Sequence, residues 1–247
     1  MGNVILRERD HKYINLDNLA YQYTSVTRIL GTYEQPFDAQ AHSLRISLRD
    51  NIPQQEILDK WLEINRVAIE YGNRVHHLME RFLLNKQGLY IPCNEFERHV
   101  ILEFDKLKMI TDHRILRPEY VVTYDVTDKE GLSGCGDVIE DISDTEFNLG
   151  DFKTNVNLTY NSRFGDWMKF PLRHLSQNNY NTDCLQLSTY AYFYELETGK
   201  KVNRLTIFYW DRGDDMTCEV GSWKALPVPY MKTDVKNMIN HFTMNMK

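Results

Sequence analysis

The stretch that most constrains this chain runs from Gly134 to Asn155 and reads GCGDVIEDISDTEFNLGDFKTN. It has the pattern of two adjacent β-strands joined by a short polar turn, with Asp137 on the first and Asp151 and Lys153 on the second. Side chains alternate across a strand, so Asp151 and Lys153 point one way, and Phe152 between them points the other, toward a core. Two carboxylates crowded onto one patch of sheet repel each other unless something compensates them. A divalent cation does so, because hard ions such as Mg2+ prefer carboxylate oxygens, carbonyls and water. An Asp-x-Lys triplet is equally what any half-exposed strand with a surface ion pair carries. Its neighbours must decide between the two.

The 247 residues fit one large domain, and with 42% hydrophobic and 12% aromatic residues the chain can bury a substantial core. A net charge of −6 provides no whole-molecule field for nucleic acid, so such a partner must be held by a local basic surface. No apolar run approaches the ~18–20 residues that span a bilayer, and the N-terminus lacks a secretory hydrophobic region. The expectation is a cytoplasmic protein that does not engage membranes. Cys93, Cys135, Cys184 and Cys218 are scattered without a C-x-x-C pair. This argues against a zinc site or a disulfide scaffold and predicts buried free thiols.

Along the chain, residues 4–24 predict a short hairpin, and Thr24 or Ser25 caps a helix beginning Ser25-Val26-Thr27-Arg28. Residues 31–52 read as irregular, with Pro36 and the basic pair Arg45 and Arg49. Helical spacing begins at Pro53, with Ile57, Trp61, Ile64 and Ala68 on one stripe, and continues over 66–85 with Val75, Leu78, Met79 and Phe82. His76 and Glu80 sit one turn apart beside that face. A second helix is expected from the Asn94 cap to about Lys108, and a strand over 118–124 with Glu119 at its start. The strands Gly134–Ile142 and Phe147–Thr154 follow. Residues 155–181 form a long polar segment with Arg163, Trp167, Lys169, Phe170, Arg173 and His174. Asn181 or Thr182 then caps a helix to about Glu197, on which Gln186 and Tyr190 share a face. A strand over 204–211 is expected to pair with 217–220, and Thr233 or Asp234 opens a closing amphipathic helix.

In this order the chain resembles PD-(D/E)XK nucleases of the RecB-nuclease and lambda-exonuclease branch. The matching residues are Trp61, Ala68, Gly72, His76 and Glu80, then Pro118-Glu119, Gly136-Asp137, Gly150-Asp151-Phe152-Lys153-Thr154, and finally Gln186 and Tyr190. The Ser25-Val26-Thr27 start is similar to the N-terminal segment of phage and mitochondrial exonucleases in that group. The resemblance covers about residues 23–210. It implies an α/β fold with a restriction-endonuclease-like core of order αβββαβ, its central mixed sheet flanked by helices. The core would occupy about 66–211, with an N-terminal helical elaboration over about 1–65 and a C-terminal hairpin and helix over 212–247.

The resemblance also implies roles. Asp137 and Asp151 would ligate the ion, with the Phe152 carbonyl and His76 as further ligands and Glu119 completing the acidic cluster. Lys153 has donors and no acceptor, so it cannot bind metal; it would orient the attacking water or stabilise charge on the phosphate. Gln186 and Tyr190 would line the site and position the lysine or the substrate. Ser25 and Thr27 either hold a phosphate at a helix N-terminus or only cap it, and Arg28, with Arg45 and Arg49, forms one of two separated patches of cations that would contact DNA. Arg163, Trp167, Lys169 and Arg173 either contact DNA, with Trp167 or Phe170 as a stacking platform, or belong to a structural loop.

The function implied is a Mg2+-dependent deoxyribonuclease, with Mn2+ as a substitute. It would be an exonuclease acting on single-stranded or duplex DNA ends in replication, recombination or repair, alongside a protein partner from those processes. The alternatives are an endonuclease of the same superfamily and a non-catalytic DNA-binding subunit. The cysteines do not match the iron–sulfur arrangement of some relatives, so no cluster is expected. The absence of a Gly-x4-Gly-Lys-Ser/Thr loop predicts no use of ATP.

Overall fold

The computed structural model describes residues 3–7, 10, 12–85, 90–110, 115–155, 158–161, 165–212 and 220–244. A mixed six-stranded sheet lies between two helical layers. The chain opens with an antiparallel hairpin of β1 (Val4–Arg7) and β2 (Lys12–Asn15), followed by β3 (Gln22–Ser25) and α1 (Val26–Tyr33). Next come α2 (Ala39–Asp50), the 31-residue α3 (Gln54–Leu84) and α4 (Glu95–Asp105). The strands β4 (Ile115–Asp125), β5 (Glu130–Asp141) and β6 (Glu146–Lys153) lead into α5 (Asn179–Thr198). The chain then runs through β7 (Lys201–Asp211), β8 (Ser222–Val228) and α6 (Lys232–Met244).

β5 is the hub of the sheet. Antiparallel β4 pairs along its length. The other edge is divided: β3 pairs parallel at Glu130–Ser133, and β6 pairs antiparallel at Val138–Asp141. Beyond Val138↔Gly150 the two strands part, and Asp151–Lys153 remain paired only with β7. That split is where the candidate site forms.

Alternation along β6 divides the core. Phe147 and Leu149 join the cluster under α1, α5 and α6, while Phe152 joins the one under α3 and α4, together with Val138, Phe208 and Trp210. Phe152 is 1% exposed, as its place between Asp151 and Lys153 predicts. Val75, Leu78, Met79 and Phe82 are all buried on the second half of α3. Its first half packs on α2 and leaves Ile64 40% exposed.

Several expectations are corrected. Residues 31–52 contain the helix α2, capped by the Asp38 side chain and ended by Asn51 in the left-handed region (φ 53°). Only Ser43 of α2 is buried, so it lacks the apolar periodicity that announces a helix. β3, which precedes α1, joins the central sheet, and α3 runs without a break across residue 65. The last helix but one starts at Asn179 with Asn178 as its cap. The partner of β7 is Ser222–Val228; residues 217–219 of the expected strand lie outside the described residues. Cys184 is buried, but Cys135 is half-buried and Cys93 exposed; Cys218 lies outside the described residues. Among the described residues no helix is long and apolar enough to cross a membrane.

Candidate active site

The ladder between β4 and β5 is interrupted at one point. Pro118 pairs with Val138 and Tyr120 with Gly136, which leaves Glu119 facing Asp137 across an unpaired step. Glu119 has φ 47°, a left-handed conformation that costs a non-glycine residue ~1–3 kcal/mol and recurs at functional sites. The kink sets two carboxylates side by side. α3 supplies the third group: His76 Nδ1 lies 3.5 Å from Asp137 Oδ2. One ligand atom each from His76, Glu119 and Asp137 lies within 4.8 Å of the others.

Asp137 also closes the split in the sheet. Its Oδ2 accepts the Phe152 backbone N–H at 2.6 Å, replacing the strand pairing lost beyond Gly150. A residue's N–H and C=O leave a strand on the same edge. The Phe152 carbonyl therefore leaves β6 on the same edge as the N–H that Asp137 accepts.

The second half of the site surrounds Lys153. Its Nζ lies 2.9 Å from Asp151 Oδ2, 3.4 Å from Asp183 Oδ1 and 3.1 Å from Gln186 Oε1. The contact with Asp151 is an ion pair without hydrogen-bond geometry, so Asp151 Oδ2 is buried with no hydrogen bond. Gln186 Nε2 donates to the Tyr190 hydroxyl at 2.8 Å, tying the two together as their shared helix face predicts. Tyr190 packs so closely on β5 that a Cβ at Gly134 would lie 2.1 Å from its ring.

The electrostatics mark these groups as under-compensated. Burial, then Asp137, pushes the Glu119 carboxyl up to about 7. Burial raises Asp151 to about 6, with Asp137 and Asp183 opposing the relief from Lys153. Burial opposes charge on His76, but Asp137 outweighs it and raises the imidazole to about 9. Burial likewise opposes charge on Asp137, yet His76, Lys153 and the Phe152 N–H hold its pKa below the usual range. Lys153 is buried too, but Asp151 and Asp183 push its pKa above the lysine range, and it stays an ammonium.

An open cleft of about 1280 Å3 between β1 and α3 ends on His76, Glu119 and Cys135. Its other walls include Asn3, Asn65, Asn73, His77, Glu80, Asn155 and Glu197, and no lysine or arginine lines it among the described residues. The donor set fits a hard divalent cation. It consists of the Glu119 and Asp137 carboxylates with one imidazole, and Asp151 Oδ2 is buried nearby with the Lys153 ammonium against it.

The remaining sequence candidates are placed less directly. The Ser25 hydroxyl caps α1 by accepting from Arg28 N, and Thr27 and Arg28 are exposed on its first turn. Lys169 N donates to Tyr33 O, and Gln35 Nε2 to Trp167 O, fastening that segment to the C-terminal end of α1. Trp167 and Phe170 are exposed, with Phe170 against His241 of α6 and Arg173 over the Phe170 ring. None of these side chains enters the acidic cluster, and Arg163 lies outside the described residues.

Three further groups belong to the site. Asp183 lies three residues before Gln186, a spacing that puts both on one helix face. Cys135 donates to Glu119 at 3.3 Å and stands two residues before Asp137. The Tyr13 phenol of β2 is raised in pKa by burial and by its proximity to Cys135, Glu119 and Asp137, and nothing in its local sequence signals this.

No family model and no curated protein matches the chain. Among the solved structures that resemble it are the following two. One, of a protein named SSO0001, has TM-score 0.38 at 10% identity and covers 91% of this chain and 76% of its own. The other, named "Putative exonuclease" and from Eubacterium rectale, has TM-score 0.39 at 13% identity and covers 87% and 68%. Scores this low fix neither fold nor chemistry.

Proposed function

We propose that this chain is a Mg2+-dependent deoxyribonuclease, with Mn2+ as a substitute, that hydrolyses DNA from its ends. The observation that carries the reading is the split between β5 and β6. Beside it one ligand atom each from His76, Glu119 and Asp137 lies within 4.8 Å of the others, and Asp151 and the Lys153 ammonium sit on the stretch of β6 that has parted from β5. A divalent cation bound there supplies charge neutralisation for a phosphodiester and activates water.

The chain's own groups divide the remaining work. Asp137 and Asp151 hold the cation, with His76, the Phe152 carbonyl and Glu119 completing its shell. His76 must give up its proton to serve as a ligand. Lys153 presents a permanent positive charge to the phosphate, and Gln186, fixed by Tyr190, limits where its ammonium sits. The cleft's asparagines offer hydrogen bonds to bases and sugars instead of a cationic track along phosphates. Positive charge for the phosphates must therefore come from Lys153, from a bound cation and from residues outside the cleft. Trp167, Lys169 and Arg173 would meet DNA outside the cleft, and an origin in replication or recombination belongs to the same reading.

The test is incubation of the purified protein with linear and covalently closed DNA, single- and double-stranded, in Mg2+ or EDTA. Progressive loss of linear DNA in Mg2+ only, with circles surviving, is the expected result. Rapid cutting of single-stranded circles would replace the exonuclease by an endonuclease. No Mg2+-dependent cleavage of any substrate would overturn the assignment.

A further inference from the structure

Lys153 has three ammonium protons and three acceptors in contact, from Asp151, Asp183 and Gln186. One acceptor, Asp151, is also a proposed ligand of the divalent cation. The cation and the ammonium therefore compete for the same carboxylate, and the ammonium needs another anionic partner when the cation is bound. Among the described residues the only other carboxylate in contact with Lys153 is Asp183.

Asp183 has no other evident reason to be where it is. It is 9% exposed, and its Oδ2 is buried without a hydrogen-bond partner. It is not part of the His76, Glu119 and Asp137 group. A buried carboxylate costs several kcal/mol unless compensated, and among the described residues the cation that compensates Asp183 is Lys153, with one carboxylate oxygen to spare. α5 fixes Asp183 and Gln186 three residues apart, so the lysine has a ready-made seat on the helix, away from β6.

We propose that Asp183 is a positioning residue for Lys153: it draws the ammonium off Asp151, leaving that carboxylate to the divalent cation. This rests on the divalent-cation reading of the site.

The test is calorimetric titration of Mn2+ at pH 8 into the wild type, Asp183→Asn, Lys153→Met and the double variant. With Lys153 present, Asp183→Asn should weaken Mn2+ binding by about fivefold, because the ammonium then rests on Asp151. In the Lys153→Met background the same change should cost less than about twofold. Cleavage is read in parallel: Asp183→Asn should lower kcat by about tenfold with KM within about twofold, and Asp183→Glu should restore most of the loss. Asp183→Ser is carried alongside as a second neutral variant, and heat-melting midpoints show that each variant is folded. Equal weakening with and without Lys153, or none in either background, would overturn the proposal. A wild type that binds no Mn2+ would instead overturn the cation reading on which it rests.

Discussion

β5 carries two buried aspartates four residues apart; cations and donors hold both below the usual range, but their neighbourhoods differ. Asp141 accepts from the Tyr194 hydroxyl at 2.8 Å and pairs with Lys200 at 2.9 Å and Arg117 at 3.2 Å. Burial works against its charge, but Lys200, Tyr194 and Arg117 outweigh it and hold its pKa below the usual range. Asp137 shares its neighbourhood with Glu119 and Asp151, whose pKa values are raised to about 7 and about 6, and Asp151 Oδ2 has no hydrogen bond. One end of the strand is a completed ion network, as structural buried charges generally are. Around Asp137, by contrast, neighbouring carboxylates are raised in pKa despite His76 and Lys153, a pattern that marks a candidate ligand site. The contrast separates stability from function along a single strand.

The sharpest way to break the contrast is to neutralise one aspartate from each neighbourhood, Asp151 of β6 beside Asp137 and Asp141 itself. Asp151→Asn should lower Mg2+-dependent cleavage by about 10^3-fold or more, since an amide is a poor ligand for a hard cation. Its unfolding midpoint in EDTA should match or exceed that of the wild type. Asp141→Asn should do the reverse. It leaves Lys200 and Arg117 facing a neutral group and should cost about 2–4 kcal/mol in urea unfolding, discounted for the half-exposed Arg117. Cleavage per folded molecule should be kept. If Asp141→Asn lost cleavage while staying folded, the division between the two ends would be wrong.

A third change tests how the lysine end is held. Gly134→Ala places a methyl group 2.1 Å from the Tyr190 ring, so the ring must move, at a cost of about 1–3 kcal/mol. Because Tyr190 anchors Gln186, and Gln186 contacts Lys153, cleavage should fall further than the lost folded fraction explains. Thermal melts combined with steady-state kinetics separate the two effects.

The smallest effect is a pH dependence with a definite sign. Folded Glu119, Asp151 and His76 bind protons more tightly than they do in the unfolded chain. Between about pH 4 and pH 9 the folded state thus carries the excess of protons, and these groups make stability fall as pH rises. Asp141, with its lowered pKa, contributes stability that is lost only when pH falls through its folded value. In EDTA the melting midpoint should therefore decline from pH 5 to pH 9. Mn2+ needs those protons gone, so the rise in midpoint that it causes should be larger at pH 8.5 than at pH 6. A shift that shrinks with pH would contradict the assigned ligands.

Much of the sheet was legible in the sequence because its signals are local. The Asp151-Phe152-Lys153 alternation, the apolar face from Val75 to Phe82, the Asn94 cap and the Gln186–Tyr190 pair each appear where their spacing predicts. α2 was not legible, because a helix that buries only Ser43 carries no amphipathic stripe. Nor was the kink at Glu119, since Pro118-Glu119-Tyr120 reads as ordinary strand, and the left-handed backbone is imposed by the pairing around it. Asp183 had a readable spacing to Gln186, but its meaning depends on Lys153 arriving from another element. Tyr13 had none, because a short hairpin docks it from far away in the chain. The local partners of the basic pair Arg45 and Arg49, His42 and Asp50, had no signal beyond proximity in the chain.

The most direct test of the under-compensated end is calorimetric titration of Mn2+ into metal-free protein at pH 8, for the wild type, Asp137→Asn and Asp141→Asn. Saturable binding by the wild type and Asp141→Asn, and its loss in folded Asp137→Asn, is the predicted result. Indistinguishable isotherms for Asp137→Asn and the wild type would contradict the account.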